Sequence, residues 1–506
     1  MELLLWLWSQ FLSCWNNLPA LGIALTVFAL LFDFMKRRKS WSHYPPGPAS
    51  LPFIGTMLQI DFHNPHLSFN QLSKKFGNIF SLQNCWNNLV VLNGFKAVKE
   101  ALIQKSEDFA DRPPFPIYEH LGYGENAEGL VVAKYGHAWK EQRRFALSTL
   151  RNFGMGKKSL EQRITEETGF LCSAICSEEG HPFDPHFLIN NAVSNVICSL
   201  VYGERFDYVD KKFQRLLRLL EQAMNEEAGF LPQFLIVVPW FLRIPGVPQT
   251  VFRCQKAVWD FIDELVKEHE ATWNPTQKRD FIDAFLQEMK TKEHAESSFN
   301  DSNLRMVIFD LFSAGTETTS TTLRWALAYM LLHPDIQRKV HEEIDKVIGR
   351  DRSPQMEDQA NMPYTNAVIH EIQRYADIVP VGMPHVTYRD TELQGFFIPK
   401  GTTVIANLSS VLKDETVWEK PHQFYPEHFL DANGQFVKRE AFLPFSAGRR
   451  VCLGEQLARM ELFLFFTSLL HRFTFQHPEG QARPREDGHF ALTLSPHPYQ
   501  IQAVPR

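Results

Sequence analysis

The chain of 506 residues, 44% of them hydrophobic, is long enough to bury a large core. Its formal net charge of −6 argues against nucleic acid as the main partner, because chains that bind nucleic acid carry basic surfaces. Its seven cysteines include no C-x-x-C pair, which argues against a structural zinc site and favours a reducing compartment.

The N-terminus has the pattern of a signal anchor. Two apolar runs, MELLLWLWSQFL and LPALGIALTVFALLFDF, are followed at once by the basic run KRRK. A cleaved signal peptide carries its positive charge before the apolar run, so this order predicts a transmembrane anchor over residues 1–35 with the rest of the chain in the cytosol. A buried core helix is the alternative, but it does not explain the basic stop. Residues 36–55 are expected to be a basic stop-transfer sequence and a linker that prolines stiffen.

Residues 56–506 predict one large domain, mainly α with a small β part, because no linker marks a second boundary. A hairpin is expected over 78–94, where apolar residues alternate on both sides of a turn. The longest helix is expected to begin near Ser302 and to stop before Pro334, where an amphipathic helix follows. The final helix is expected directly after Cys452.

The segment FLPQFLIVVPWFLRIPGVP, residues 230–248, is apolar but interrupted by prolines, which disfavour a long helix. Its Trp240 suits a membrane interface. The segment is therefore either a pair of core helices or a mobile lid that dips into the bilayer and admits lipophilic substrates.

The middle of the long helix carries residues suited to a flat cofactor and to proton transfer. Ala314 and Gly315 leave no bulk beside a bound plane, and Thr318 lies one turn on, next to Glu317. A hydroxyl inside a helix usually bonds back to the carbonyl four residues earlier, and Glu317 would then be a solvated acid. Beside this patch of small residues the pair can instead hold water and deliver protons, which is the interpretation that we favour.

Two further acids are candidates for recognising a substrate cation. Asp310 lies two turns before Thr318 on the same broad face, roughly 12 Å along the axis, at the far wall of one cavity. A carboxylate in an apolar pocket is costly unless it is paired, so a cationic nitrogen would be its counter-ion. Glu227 precedes the 230–248 segment and could attract the same amines at the entrance. The alternatives are an Asp310 that accepts backbone hydrogen bonds and a solvated Glu227.

The stretch HEIQR begins like the H-E-x-x-H motif of zinc proteases. Arg374 occupies the position of the second histidine, and an arginine cannot bind zinc. Glu371 and Arg374 lie three residues apart on a helix, so they predict an ion pair with a structural role.

The loop FSAGRRVCLG places one cysteine in a tight, basic turn just before a helix. The helix N-terminus would stabilise a Cys452 thiolate, and Gly448 and Gly454 would let backbone amides approach the sulfur. Phe445 can cover the sulfur, and Arg450 supplies a positive charge suited to a carboxylate. A metal held by one thiolate takes its other ligands from a cofactor, and haem iron is the obvious case, with Cys452 as its ligand. An inert loop cysteine is the alternative.

This loop matches F-x-x-G-x-R-x-C-x-G, and with it the chain resembles the cytochrome P450 monooxygenases over essentially its whole length. AGTETT (314–319) is similar to the oxygen-activating segment of that family, and EIQR to its E-x-x-R pair. The body most resembles the vertebrate microsomal, drug-metabolising branch and, within it, the debrisoquine-hydroxylase subfamily. His428 departs from the arginine that many relatives have, and it leaves the partner of the Glu371–Arg374 pair open.

The resemblance implies a haem b cofactor with Cys452 as axial thiolate and with propionate contacts from Trp139, Arg143 and His385. The alternative for His385 is a surface histidine. It implies oxygenation of lipophilic substrates, including basic amine drugs, alkaloids and other xenobiotics, on the cytosolic face of the endoplasmic reticulum. The chain has no G-x-G-x-x-G motif and no P-loop. Electrons from NADPH must therefore come from a separate NADPH–cytochrome P450 reductase, with cytochrome b5 as a candidate second donor. The docking face is predicted to include Arg143, Arg144, Lys157, Lys158, Arg449 and Arg450.

Two other functions stand as alternatives. A haem-thiolate isomerase would rearrange peroxides without external electrons, and a haem-binding carrier or sensor would have no turnover. Neither function needs the Glu317–Thr318 pair, so that pair favours the monooxygenase.

Overall fold

The structure, a computed structural model, describes residues 22–33, 42–116, 129–227, 230–291 and 297–506. Helices dominate these residues. They are α1 (22–33), α2 (Pro65–Phe76), α3 (Gly94–Lys99), α4 (His137–Asn152), α5 (Lys158–Cys176), α6 (His186–Val201), α7 (Lys211–Glu227), α8 (Phe230–Val237), α9 (Val247–Val251), α10 (Arg253–Thr272), α11 (Phe281–Thr291), α12 (Asp301–Leu332), α13 (Pro334–Val347), α14 (Pro363–Ala376), α15 (Leu408–Leu412) and α16 (Glu455–Arg472). Shorter turns are the π-helix Glu100–Gln104 and the 3₁₀ helices Met57–Gln59, Pro239–Arg243, Met356–Asn361, Pro426–Phe429 and Gly448–Arg450.

The strands are few and short, so the prediction of a mainly α fold with a small β part is confirmed. They are β1 (Ile79–Asn84), β2 (Asn87–Leu92), β3 (His385–Val386), β4 (Thr391–Leu393), β5 (Phe396–Ile398), β6 (Thr403–Ala406), β7 (Phe473–Gln476), β8 (Gly488–Phe490), β9 (Leu494–Pro496) and β10 (Gln502–Pro505). β1 and β2 form the antiparallel hairpin expected over 78–94. β6 pairs in parallel with β2 and antiparallel with β3, which gives a sheet of order β1-β2-β6-β3. Three antiparallel pairs, β4–β5, β7–β10 and β8–β9, lie apart from it.

The longest helix, α12, is the centre of the domain. Its N-cap is Asn300 rather than Ser302, because the Asn300 side chain accepts a hydrogen bond from the backbone N–H of Asn303 at 2.8 Å. It ends at Leu332, just before Pro334 begins α13. Its C-terminal half is buried on every side, and α12 packs against α6, α10, α14, α16 and β9. Side chains in its middle are therefore held between elements that come from distant parts of the chain.

The hydrophobic core has two main parts. The larger part surrounds α12 and contains the fully buried Phe312, Trp325 and Tyr329. The smaller part lies between the sheet and α3, and it includes Val90 and Val404 from neighbouring strands. The loop before α16 reaches this smaller part through Ala447, so the segment that carries Cys452 is fixed to the sheet side of the domain.

The predicted signal anchor at 1–35 falls mostly outside the described residues. Within the described ranges, no helix is both long enough and apolar enough to span a bilayer. The predicted linker at 36–55 is described from residue 42, and it lies against β1. There the backbone N–H and the hydroxyl of Ser81 donate to the carbonyls of Pro46 and Pro45 at 2.7 and 2.8 Å. The anchor and its boundaries stay predictions.

The apolar segment 230–248 folds as short helices, α8, the 3₁₀ helix Pro239–Arg243 and the start of α9. Leu235 and Leu242 are buried, whereas Leu231 and Trp240 are 52% and 62% exposed. The segment therefore has a side that packs on the domain and an apolar side that is open. Its insertion into a bilayer stays a prediction.

Candidate active site

One large cavity lies beside α12, and most of the predicted site residues line it. Its volume is about 1330 Å³, which exceeds the ~300–1000 Å³ of an ordinary ligand pocket, so it has room for a cofactor and a substrate together. The predicted residues in its wall are Arg143, Asp310, Ala314, Gly315, Glu317, Thr318, His385, Phe445, Arg450, Cys452 and Gly454. Trp139 and Gly448 do not line the cavity, and Glu371 and Arg374 are fully buried away from it.

The loop before α16 turns Cys452 into the cavity wall. The backbone N–H of Cys452 donates to the carbonyl of Phe445 at 3.0 Å and closes the loop. A Cβ at Gly448, whose φ is +76°, would lie 1.7 Å from the carbonyl oxygen of Leu102, so this close chain approach requires glycine. A Cβ at Gly454 would meet nothing nearer than the Cys452 Sγ at 3.9 Å, and Gly454 is the N-cap of α16. Chain packing thus explains Gly448 better than access to the sulfur does.

Burial and the helix N-terminus have opposite effects on the pKa of the Cys452 thiol. Burial raises its pKa, and the backbone N–H groups of Gly454 and Glu455 and the charge of Arg143 lower it by less. The exposed surface of the Cys452 side chain borders the cavity. The helix N-terminus therefore lowers the pKa of the thiol, as predicted, but by less than burial raises it. A metal that binds the sulfur would have to displace the proton.

Arg450 and Trp139 pack on each other behind the sulfur. Arg450 donates to the carbonyls of Ala110 and Ala133 at 2.7 and 2.6 Å, and its guanidinium lies 4.1 Å from the centroid of the Trp139 ring. Trp139 is buried and donates from Nε1 to the carbonyl of Leu130 at 3.1 Å. The charge of Arg450 is thus held rigidly by backbone oxygens and an aromatic face.

Arg143 and His385 are held in the same way by carbonyl groups. Arg143 Nη2 donates to the carbonyl of Val451 at 2.5 Å, next to Cys452. His385 is buried, and its Nδ1 donates to the carbonyl of Phe109 at 2.7 Å. Burial, and after it the charge of Arg112, lowers the pKa of His385 well below its usual value. A neutral Nε2 cannot donate, so a bound carboxylate would contact His385 only if it raised this pKa.

Arg112 is a cavity residue that sequence analysis missed. Its guanidinium donates to the carbonyls of Val131, Met383 and Pro384 at 2.6 to 3.1 Å. Burial, followed by the charge of Arg450, lowers the pKa of Arg112 to about 9, although Asp111 opposes this. Its only sequence signal is an arginine before two prolines, and that pattern has no specific chemistry.

This donor set fits haem. Cys452 is the one cysteine in the cavity wall among the described residues, so it supplies a single sulfur ligand. Arg112, Arg143 and Arg450 line the same cavity, and the charges of the other two lower the pKa of Arg112. A ligand that carries carboxylates would relieve this repulsion. The residues present therefore suit a planar cofactor that carries acidic side chains and whose metal would take one thiolate ligand from Cys452.

The middle of α12 is shaped by packing as well as by the cavity. A Cβ at Gly315 would lie 2.5 Å from Cδ1 of Ile197 on α6, so any larger residue there would have to displace the Ile197 side chain. Ala314 borders the cavity, and its carbonyl accepts a hydrogen bond from the Thr318 hydroxyl at 2.7 Å. This is the back-bonding alternative named above. The Thr318 oxygen still lines the cavity and has lone pairs for water, and its role in proton delivery stays a prediction.

Glu317 is half-buried and hydrogen-bonded rather than freely solvated. Its Oε1 accepts from the hydroxyl of Thr493 at 2.8 Å and from that of Thr321 at 3.1 Å. Thr493 lies at the tip of the β8–β9 hairpin, so the acid connects α12 to the C-terminal part of the chain.

Asp310 is buried in the cavity wall and holds a neighbouring loop. Its Oδ2 accepts from the backbone N–H groups of Leu130 and Val131 at 2.6 and 3.0 Å. Burial raises the pKa of Asp310 to about 7, although these two hydrogen bonds oppose the rise. The structural alternative for Asp310 is therefore present, and substrate binding by the same carboxyl group stays a prediction. The side chain of Glu227, at the end of α7, lies outside the described part of the chain.

Glu371 and Arg374 form the predicted ion pair, and His428 joins it. Both side chains are fully buried, with Arg374 Nε and Nη2 donating to the Glu371 carboxylate at 2.7 Å. His428 Nδ1 lies 3.2 Å from Glu371 Oε2, and its Nε2 accepts from the backbone N–H of Lys420 at 3.1 Å. Because Nε2 accepts, the imidazole proton lies on Nδ1 and points at the carboxylate. His428 thus takes the place that sequence analysis left open.

Glu461 on α16 is a second residue that sequence analysis missed. It lines the cavity, only 1% of its surface is exposed, and its Oε1 has no hydrogen-bond partner in the described ranges. Burial raises its pKa to about 8, and a hydrogen bond with Thr319 lowers it by less. In the sequence, Glu461 stands inside the apolar run of the final helix. An acid in such a run is typical of a residue with a buried role.

Comparisons with known proteins agree with this site. A profile of the family described as Cytochrome P450 matches residues 45–503. The chain is 60% identical to cytochrome P450 2D14 of Bos taurus and 59% identical to cytochrome P450 2D6 of Homo sapiens. It is 57% identical to cytochrome P450 2D15 of Canis lupus familiaris, and each match covers 97% of this chain and 99% of the relative. With its cavity thiol and its cluster of arginines, the chain belongs to the cytochrome P450 family of haem-thiolate, NADPH-dependent monooxygenases.

Proposed function

We propose that this enzyme oxygenates lipophilic organic molecules, among them basic amines, with electrons from NADPH–cytochrome P450 reductase. Haem bound through Cys452 supplies the redox chemistry that activates dioxygen. The observation that carries the proposal is the composition of the cavity, whose mostly apolar wall contains the thiol and two buried acids, Asp310 and Glu461.

The residues of the cavity have separate tasks in this proposal. Arg112, Arg143 and Arg450 would bind the carboxylates of haem and fix its orientation. The apolar wall binds a lipophilic substrate and excludes water, and the Asp310 carboxylate provides a counter-charge for an amine. Glu317 and Thr318 hold and move protons at their carboxylate and hydroxyl oxygens.

Reductase docking needs basic residues that are exposed. Arg144, Lys157 and Arg449 are exposed, whereas Arg450 is buried and Arg143 is half-buried. Lys158 is exposed but pairs with Glu357 at 2.7 Å. The proposed docking face therefore rests on Arg144, Lys157 and Arg449, with cytochrome b5 as a candidate second donor at the same face.

The proposed location is the endoplasmic reticulum membrane, with the domain on the cytosolic side. The basic run after the apolar N-terminus supports this orientation. The exposed Leu231 and Trp240 of the 230–248 segment support a second contact with membrane lipid. Lipophilic substrates would then reach the cavity from the bilayer.

The test is reconstitution of the full chain with reductase and NADPH in lipid vesicles, using pairs of lipophilic amines and neutral isosteres. Substitution Asp310→Asn keeps an oxygen for the two backbone N–H groups but removes the charge, so it should weaken the turnover of amines selectively. Asn303→Ala is the matched control, because Asn303 Oδ1 holds the same loop through Gly129 N–H at 3.0 Å without a charge. Equal losses for amines and isosteres in Asp310→Asn would leave Asp310 a structural role only.

A further inference from the structure

The β8–β9 hairpin contributes both to the cavity wall and to the surroundings of Glu317. Phe490, Leu492 and Thr493 line the cavity at the tip of the hairpin. The Thr493 hydroxyl donates to Glu317 Oε1 at 2.8 Å, the shorter of the two hydroxyl contacts to this oxygen. A hydroxyl that donates to a carboxylate makes a strong hydrogen bond, so Thr493 is well placed to fix the direction of the acid.

Two more hydroxyl groups complete a cluster that we call the hydroxyl cluster, made of Thr321, Thr493 and Ser495. The Ser495 hydroxyl lies 3.4 Å from that of Thr321 and 3.3 Å from that of Thr493. All three residues are buried. Contacts of this length are weak, so Ser495 adds little, and the shorter of the two hydrogen bonds to the carboxylate comes from Thr493.

The hairpin is itself fixed, so the position of Thr493 is set before any substrate binds. The indole Nε1 of Trp325 on α12 donates to the carbonyl of Leu494 at 2.9 Å. The backbone N–H of Leu494 donates to the carbonyl of Ile378 at 2.8 Å. The residue next to Thr493 is thus tied to α12 on one side and to the segment after α14 on the other.

We propose that Thr493 is a positioning residue for proton delivery, which holds the Glu317 carboxylate at the cavity wall through its hydroxyl. The inference rests on the proposed function of Glu317 as a proton carrier. Without the Thr493 hydroxyl, the carboxylate loses its shorter hydrogen bond and keeps the longer one to Thr321, so Glu317 turns away from the cavity more easily. Thr318 gives no such support, because its own hydroxyl donates to Ala314.

The experiment compares Thr493→Val, Thr493→Ser and Glu317→Ala in the haem-loaded full chain with reductase. Thr493→Val removes the hydroxyl and keeps the shape, so we expect unchanged haem content with a severalfold larger fraction of NADPH electrons released as hydrogen peroxide. Thr493→Ser should restore the wild-type fraction. Adding Thr493→Val to Glu317→Ala should raise the peroxide fraction no further, because both changes disable one unit.

The matched control is Thr467→Val. Thr467 is a fully buried threonine of α16, and its hydroxyl has no hydrogen-bond partner in the described part of the chain. We expect this variant to have the coupling of the wild type. If Thr493→Val does not load haem, Thr493→Ala repeats the comparison with a smaller side chain.

A second readout does not depend on turnover. The midpoints of thermal unfolding of Thr493→Val, Glu317→Ala and the double variant should show coupling, with the double variant losing less than the sum of the two single losses. Two results would overturn the inference and leave the proposed function intact. One is that the losses in unfolding midpoint are additive. The other is that Thr493→Val releases the wild-type fraction of electrons as peroxide while Glu317→Ala releases a larger one. A wild-type chain that forms no oxygenated product with reductase would instead overturn the proposed function.

Discussion

At the scale of single residues, neighbours on α12 have different partners because successive side chains point about 100° apart. Thr318 bonds back along its own helix, whereas Glu317 bonds across to the β8–β9 hairpin. The two groups of the proposed proton path are therefore adjacent in the chain but held by separate parts of the fold. Substitutions at the two positions should consequently be distinguishable by what they disturb.

The first prediction concerns the cysteine ligand. Cys452→Ser should lose the long-wavelength absorption of the reduced carbon monoxide complex, because that band depends on thiolate ligation. Cys176→Ser, at an exposed position on α5, should keep it. The measurement is the spectrum of each purified variant together with its haem content. A Cys452→Ser protein with full haem and an unchanged band would refute the assignment of Cys452 as the iron ligand.

Thr318→Ala should uncouple the enzyme. NADPH consumption should continue while hydrogen peroxide replaces most of the oxygenated product, because the hydroxyl that we propose to hold water at the cavity wall is gone. Thr168→Ala is a suitable control, since Thr168 also bonds back to the carbonyl four residues earlier, at 2.7 Å, but lies on α5. Unchanged product per NADPH across several substrates would show that the back-bond of Thr318 is purely structural.

The pKa of Asp310 predicts how amine binding depends on pH. Burial raises this pKa to about 7, from an ordinary value of ~3.9. The folded chain therefore binds a proton that the unfolded chain has lost, so ionisation of Asp310 costs stability as the pH rises through this window. An amine that stays protonated pairs with the ionised form, so its dissociation constant should fall by up to roughly tenfold between about pH 6 and 8. Spectral titration should show no such trend for a neutral isostere or for Asp310→Asn.

At the scale of elements, local spacing predicted some contacts and could not predict others. Glu371 and Arg374 lie within one helical turn and Phe445 and Cys452 within one loop, so the sequence pattern contained both pairings. Arg112 and Met383 are 271 residues apart, and Glu317 and Thr493 are 176 apart. Contacts of that kind depend on how helices and hairpins pack together, which no local pattern records. Sequence pattern also failed to locate the N-cap of α12, which is Asn300 rather than Ser302, because asparagine and serine are both good N-caps.

The buried pair of α14 gives a prediction about stability. Arg374 also donates to the carbonyls of Leu412, Pro421 and Gln423, so it joins α14 to two later segments. Arg374→Ala leaves the Glu371 carboxylate buried without its cation, which typically costs about 3–5 kcal/mol. We expect this variant to give little folded, haem-loaded protein on expression. Chemical unfolding of the protein that is recovered should show the loss of stability.

The control for this prediction is an exposed pair on the neighbouring helix. Arg338 on α13 pairs with Glu342, and both side chains are more than 60% exposed. An exposed pair usually contributes only about 0–1 kcal/mol, so Arg338→Ala should fold and load haem normally. Equal stability of the two variants would show that the Glu371–Arg374 pair does not support the fold.

At the scale of the whole molecule, the exposed apolar side of 230–248 and the apolar N-terminus predict attachment to one membrane surface. In intact microsomes, added protease should digest the domain from residue 56 onwards, whereas an epitope at residue 1 should be protected. Alkaline washing should leave the protein with the membranes, because an integral anchor is not held by charge. Protection of the domain instead of the epitope would reverse the proposed orientation.

The position of the β8–β9 hairpin near the C-terminus also bears on biosynthesis. β10 pairs with β7, and Ile501 exchanges backbone hydrogen bonds with Phe183. These elements are synthesised after α12 and the Cys452 loop, so the domain can close only once this later segment has emerged from the ribosome. A message with a stop codon after residue 487 would still encode the thiol and the arginines but not Thr493. Such a truncated product would leave Trp325 without its carbonyl partner and the core open to the proteases of the cell.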